Sequence, residues 1–120
     1  MPVRAIRGAT RLQADNADEM RDAVTELITE ILTRNDLDQE QIISVFLTST
    51  PDLVCAFPAT AVRSMGLSDV PLMCASEIPV PGALSQVVRV MMHVETDLDR
   101  SQVRHAFMRG AQVLREDLDK

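Results

Sequence analysis

Val87-Val88-Arg89-Val90-Met91-Met92-His93-Val94 is the stretch on which the reading of the fold turns. Successive side chains of a strand point to opposite faces. Val88, Val90, Met92 and Val94 then share one apolar face, suited to a layer of helices, while Val87, Arg89, Met91, His93 and Glu95 fall on the other. Extended from Gln86 to Thr96, this is the longest strand the sequence predicts. Its two methionines read as flexible core filler.

Working outward, Val3 to Leu12 reads as a first strand. Gly8 inside it marks a bulge or a close backbone approach. Asp15 and Asn16 offer helix caps, and Glu19 stands three residues after Asn16 as in a capping box. Met20, Val24, Leu27, Ile28, Ile31 and Leu32 follow at helical spacing, which predicts a helix over 17–34 ended by Asn35 and Asp36. Ile42 to Ser49 is rich in β-formers, and Thr50-Pro51-Asp52 breaks it. Pro58 suits the first turn of a short helix holding Ala59, Ala61, Val62 and Met65, with Gly66 closing it. Val70 to Ala75 is a short third strand, and Pro79 with Pro81-Gly82 makes a turn-rich connector. Asp97 to Gln102 is a turn, His105 to Leu114 another extended segment, and 116–120 a loose tail. The order β-α-β-α-β-β-β implies one α+β domain over 1–120, with a mixed sheet packed against one long and one short helix.

Composition narrows the function. With 120 residues, 46% hydrophobic and 25% charged, the chain is globular, and alone it buries only a modest share of its surface. Oligomerisation is therefore expected. The net charge of −6 and three Phe with no Tyr or Trp argue against nucleic acid, which wants a basic face and stacking aromatics. No apolar run approaches the roughly 20 residues that span a bilayer. The N-terminus shows no apolar signal core, and two cysteines are too few for a disulfide scaffold; a reducing cytoplasm is the expected compartment.

Few residues stand out for chemistry. Arg89 sits on the face of its strand away from the helices. Its side chain is either an ordinary solvated arginine or a guanidinium held on rigid backbone and aimed at an anion. Arg7 shares a face with Val3, Ala5 and Ala9 and admits the same two readings. Cys74 and Glu77 follow closely on the third strand, but a thiol nucleophile needs a base, and neither His93 nor His105 is placed beside Cys74 by the sequence. A metal is not expected from two His and two Cys without a close pair. Phe57-Pro58-Ala59 lines a pocket or staples Phe57 onto the short helix. The residue pattern alone fits a binder of a small polyanion and names no reaction.

The same residues resemble the AroH-class chorismate mutases over nearly the whole chain. Six blocks carry the likeness in order: Arg4-Ala5-Ile6-Arg7-Gly8-Ala9-Thr10; Thr50-Pro51-Asp52-Leu53 with Ala56-Phe57-Pro58-Ala59 and Ala61-Val62-Arg63; Val70-Pro71 with Cys74 to Glu77; Arg89-Val90-Met91-Met92; Gln102-Val103-Arg104-His105; and Val113-Leu114-Arg115. The resemblance implies a homotrimeric pseudo-α/β barrel with active sites at the subunit interfaces. It implies rearrangement of chorismate to prephenate on the route to phenylalanine and tyrosine, with no cofactor and no metal. Position by position, Arg89 corresponds to the arginine facing the ether oxygen. Glu77 and Cys74 correspond to groups at the ring hydroxyl, and Arg7 to a carboxylate and ether-side contact. Phe57, Ala59, Arg63, Leu72, Met73, Ala75 and Ser76 fall on substrate-binding positions, and Leu114 and Arg115 on a tail that closes the site. Two positions depart. Phe107 stands where a tyrosine is common in the family, so the wall is kept and a hydroxyl donor lost. Thr60 stands where a lysine is common, so a positive charge is missing. A non-catalytic trimer that binds an anionic metabolite is the alternative these departures leave, and a thiol enzyme using Cys74 is a third.

Overall fold

In the computed structural model, which describes residues 1–114, the elements follow in the order β1 (Val3–Arg11), α1 (Ala17–Arg34), β2 (Ile42–Ser49), α2 (Pro58–Ser64), β3 (Leu72–Ser76), β4 (Val87–Glu95) and β5 (Ala106–Phe107). Short 3₁₀ turns occupy Gln39–Gln41, Arg100–Gln102 and Ala111–Leu114. The tail expected at 116–120 lies outside the described residues.

The long helix starts where its caps place it. The Glu19 N–H donates to Asn16 Oδ1 at 3.0 Å. The Glu19 carboxylate does not complete the capping box. It accepts from the N–H groups of Gln13 and Ala14 and so ties the strand-to-helix turn to the first turn of α1. Acidic Asp18 and Glu19 also complement the positive end of the helix dipole. Met20, Ala23, Val24, Leu27, Ile28 and Ile31 form its buried stripe.

That stripe packs on the sheet residues Ile6, Val45, Leu47, Val88, Val90, Met92 and Val94, together with Ala59, Ala61 and Val62 of α2. Gly8 shows why a side chain is missing at the contact. A Cβ there would stand 2.9 Å from Ile31 Cδ1 and 3.1 Å from Leu27 Cδ1 and the Ala106 carbonyl oxygen. The close approach read from the sequence is thus made by α1, and the pairing of β1 with β4 runs through Gly8 without a bulge.

The sheet order is β3-β2-β4-β1-β5. β4 lies at the centre, antiparallel to β1 and β2, and the two edge pairings, β2 with β3 and β1 with β5, are parallel. This is the expected α+β architecture: a mixed sheet with both helices on one face. Two segments differ from the sequence reading. The third strand begins at Leu72 rather than Val70, since Pro71 has no N–H for the ladder and offers only its carbonyl, to Val45 N. The extended segment expected over His105 to Leu114 shrinks to Ala106–Phe107. Arg109 and Gly110 take positive φ, 53° and 90°, and turn the chain into the 3₁₀ turn.

Candidate functional site

The register of the sheet assembles two rows of side chains on the face away from the helices. Met73, Phe46, Met91 and Arg7 pair successively across β3, β2, β4 and β1. The next row runs Ala75, Thr48, Arg89, Ala9 and Phe107, reaching β5. Arg7, Gly8, Phe46, Thr48, Arg89, Val90, Met91 and Phe107 enclose an open concavity of about 310 Å³. Two guanidinium groups therefore stand on rigid strands beside an apolar wall.

Glu77 completes the charge arrangement. Its N–H donates to the Ser49 carbonyl at 2.9 Å, which continues the β2–β3 pairing one step past the strand end. Its carboxylate Oε2 lies 3.1 Å from Arg89 Nε and accepts a 2.6 Å hydrogen bond from the Thr48 hydroxyl. The Glu77 side chain is 17% exposed and that of Arg89 47%, so the pair is anchored at one end and open at the other. Neither Arg89 Nη makes a hydrogen bond to a described residue, and both are available to an anion.

A second concavity, about 530 Å³, lies where β2 and β3 end and α2 begins. Phe57, Ala75, Ser76, Cys55, Cys74 and Thr60 are among the residues that line it. Phe57 is 72% exposed and stands out from the chain instead of stapling α2. Asp15 Oδ1 accepts from the N–H groups of Val54 and Cys55 and holds this loop to the turn between β1 and α1. The Cys55 thiol, and then its N–H and that of Val54, hold the Asp15 carboxyl below its ordinary range. Burial first, then Asp15, push the Cys55 thiol up, which makes it a weak nucleophile.

The remaining candidates are placed apart. Cys74 and Leu72 point to the helix side and pack on the core, opposite to Arg89. Ala59 is buried in the core, and Arg63 is exposed on α2, with Nη2 3.4 Å from Thr60 Oγ1. Met73 is exposed in the same row as Arg7. Phe107 is buried with Ala9, Val87 and Ala111 in a small cluster against which Leu114 packs. Arg115 lies outside the described residues. The structure therefore brings Arg7, Arg89, Glu77 and Phe107 to one area, and Phe57, Cys74, Ala75 and Ser76 to another. The sequence reading missed Thr48 and Phe46. Pairing Ile42–Ser49 with the strand of Arg89 would have found them, but only once the register was known. It also took Met91 for core filler, although alternation puts it beside Arg89, and it is 40% exposed. A larger concavity, about 730 Å³, is lined by Arg11, Gln13, Glu19, Gln86 and Arg109. Its cations are committed: Arg109 pairs with Glu26 and Arg11 bonds Ser85.

A family model described as chorismate mutase type I matches residues 3–118. The chain belongs to the type I chorismate mutase family. Among its relatives, chorismate mutase AroH of Bacillus subtilis (strain 168) is 40% identical over 119 residues, covering 98% of this chain and 94% of that protein. Chorismate mutase AroH of Thermus thermophilus is 42% identical over 118 residues, covering 98% and 97%. The solved structure of the chorismate mutase from Clostridium thermocellum superposes with a TM-score of 0.90 at 45% identity, covering 92% of this chain and 98% of that one. The AroH-class chorismate mutase likeness read from the six sequence blocks and the α+β fold read from the order of elements are both borne out.

Proposed function

We infer that the chain is an isomerase that rearranges chorismate to prephenate. The observation that carries the mechanism is the Arg89–Glu77 pair on the open sheet face, beside Arg7, in a member of the type I chorismate mutase family. The reaction is a unimolecular [3,3] shift. It needs no covalent intermediate and no proton transfer, so the protein has two tasks. One is to hold the enolpyruvyl arm over the ring. Cations at Arg7 and Arg89 for the carboxylates, with the apolar wall of Phe46, Met91 and Phe107, suit that task. The other is electrostatic. The C–O bond breaks ahead of C–C bond formation, and negative charge grows on the ether oxygen. A fixed cation there favours the transition state over the ground state. Arg89 fills this role because its planar fork stays charged, and Glu77 takes the ring hydroxyl. Phe107 supplies wall without a donor, which removes one ordinary hydrogen bond, about 0.5–1.5 kcal/mol, and leaves the mechanism intact.

The two concavities are each open in the single chain, and Phe46, Met73 and Met91 leave an apolar sheet face 43%, 61% and 40% exposed. A homotrimer with its active sites where copies meet would cover that face and close both openings. Phe57, Ala59, Arg63, Leu72, Met73, Cys74, Ala75, Ser76, Leu114 and Arg115 are proposed to contribute to the completed site. The compartment proposed is the cytoplasm; no described helix is long and apolar enough to cross a membrane.

Loss of chorismate absorbance with purified protein tests the activity. Binding without turnover would favour the non-catalytic trimer instead. Light scattering tests the assembly: three chains are expected, and Phe46→Asp should lower that number by placing an unpaired charge on the covered face.

A further inference from the structure

Glu77 faces two demands that compete. A carboxylate beside an arginine tends to turn both oxygens onto the guanidinium fork in a bidentate pair. That arrangement would leave each oxygen a single lone pair for a ligand hydroxyl and would commit the fork meant for the ligand's anionic oxygens. The structure shows a different arrangement. The shortest contact with Arg89 is made by Oε2, at Nε and 3.1 Å, no hydrogen bond joins the guanidinium to Oε1, and Oε2 also accepts the Thr48 hydroxyl at 2.6 Å. Oε1 accepts no hydrogen bond from a described residue. Thr48 is held in place by the sheet itself: it sits opposite Arg89 across β2 and β4, and opposite Ala75 across β2 and β3.

We propose that Thr48 is a positioning residue of the rearrangement: its hydroxyl pins Oε2 of Glu77, so that one oxygen sets the edge of the Arg89 guanidinium while Oε1 and both Nη groups are kept for the substrate. This rests on the reading that the chain rearranges chorismate. Thr48 touches no reacting atom and acts through Glu77. Its effect therefore falls on the transition state, where the placement of Arg89 matters most, rather than on substrate binding.

A double-mutant cycle on the full chain, followed by chorismate turnover, tests the proposal. Thr48→Val removes the hydroxyl at nearly constant volume and should lower kcat about tenfold with KM within about twofold. Thr48→Ser restores the donor and should return kcat to within about twofold of the parent. In a Glu77→Ala background, Thr48→Val should change kcat by less than about twofold, since the group it acts through is gone. A melting temperature checks each variant, and Thr48→Ala replaces Thr48→Val if the valine strains the strand. Unchanged kcat in Thr48→Val, a Thr48→Ser variant as slow as Thr48→Val, or equal losses in both backgrounds would each overturn the role of Thr48. Failure of the underlying reading has another signature: no turnover by the parent, or full turnover by Arg89→Ala.

Discussion

Met91 and Met92 are adjacent and identical in chemistry, yet Met92 is wholly covered and Met91 is 40% exposed. Met92 faces α1 among aliphatic neighbours and packs the core. Met91 faces outward in the row that holds Phe46 and Arg7. The two sides of β4 thus do separate work. One side holds the chain together, and the other carries charge and an apolar wall that the single chain leaves uncovered. Rigidity on the first side gives the second its fixed geometry, because every residue between them is a ladder residue of a central strand.

Substitutions on each side should separate the two roles. Met92→Ala should cost the most stability, about 2–5 kcal/mol by chemical denaturation, from lost burial and the cavity left behind. Met91→Ala should cost less than half as much; equal losses would break the distinction between the faces. Arg89→Ala should keep the fold and lower kcat/KM at least about 10²-fold, the scale for an oxyanion donor, as measured by chorismate turnover. Near-parent turnover would remove Arg89 from the chemistry. Gly8→Ala, on the packed side, should cost about 1–3 kcal/mol, since Ile31 and Leu27 must shift to admit a methyl group. Asp15→Ala should have the smallest effect, a lowered melting temperature at neutral pH as the loop of Phe57 loosens. Because the Asp15 carboxyl is held below its ordinary value of 3.8, its contribution is present above that pH and is lost as pH falls through the lowered value. The gap between parent and variant should therefore narrow in acid; a constant gap would show that the charge of Asp15 is irrelevant.

Much of this was legible in the sequence, for identifiable reasons. The period-two pattern of Val88 to Val94 fixed both faces of β4, and the caps and 3.6-residue pattern placed α1 at its observed bounds. What stayed hidden depends on register. Nothing local to Thr48 says that it lies opposite Arg89, and nothing local to Cys74 says that alternation turns it away from Arg89 while Glu77, three residues on, turns toward it. Gly8 announced a close approach without naming the partner, which proved to be α1. The end of the chain misled because Ala106 and Phe107 pair with β1, while Arg109 and Gly110 turn the chain away two residues later.

The position of β4 between β1 and β2 also has a consequence for biosynthesis. β1 is made first, yet its antiparallel partner begins at Val87 and its parallel partner at Ala106. A nascent chain can wind α1 as soon as it emerges, but the middle of the sheet must wait until β4, through Glu95, has left the ribosome. Contacts of such long sequence separation make folding slow, and they leave the backbone N–H and C=O groups of β1 unpaired during synthesis. Expression of this chain should accordingly be more sensitive to translation speed and chaperone supply than its small size alone would suggest.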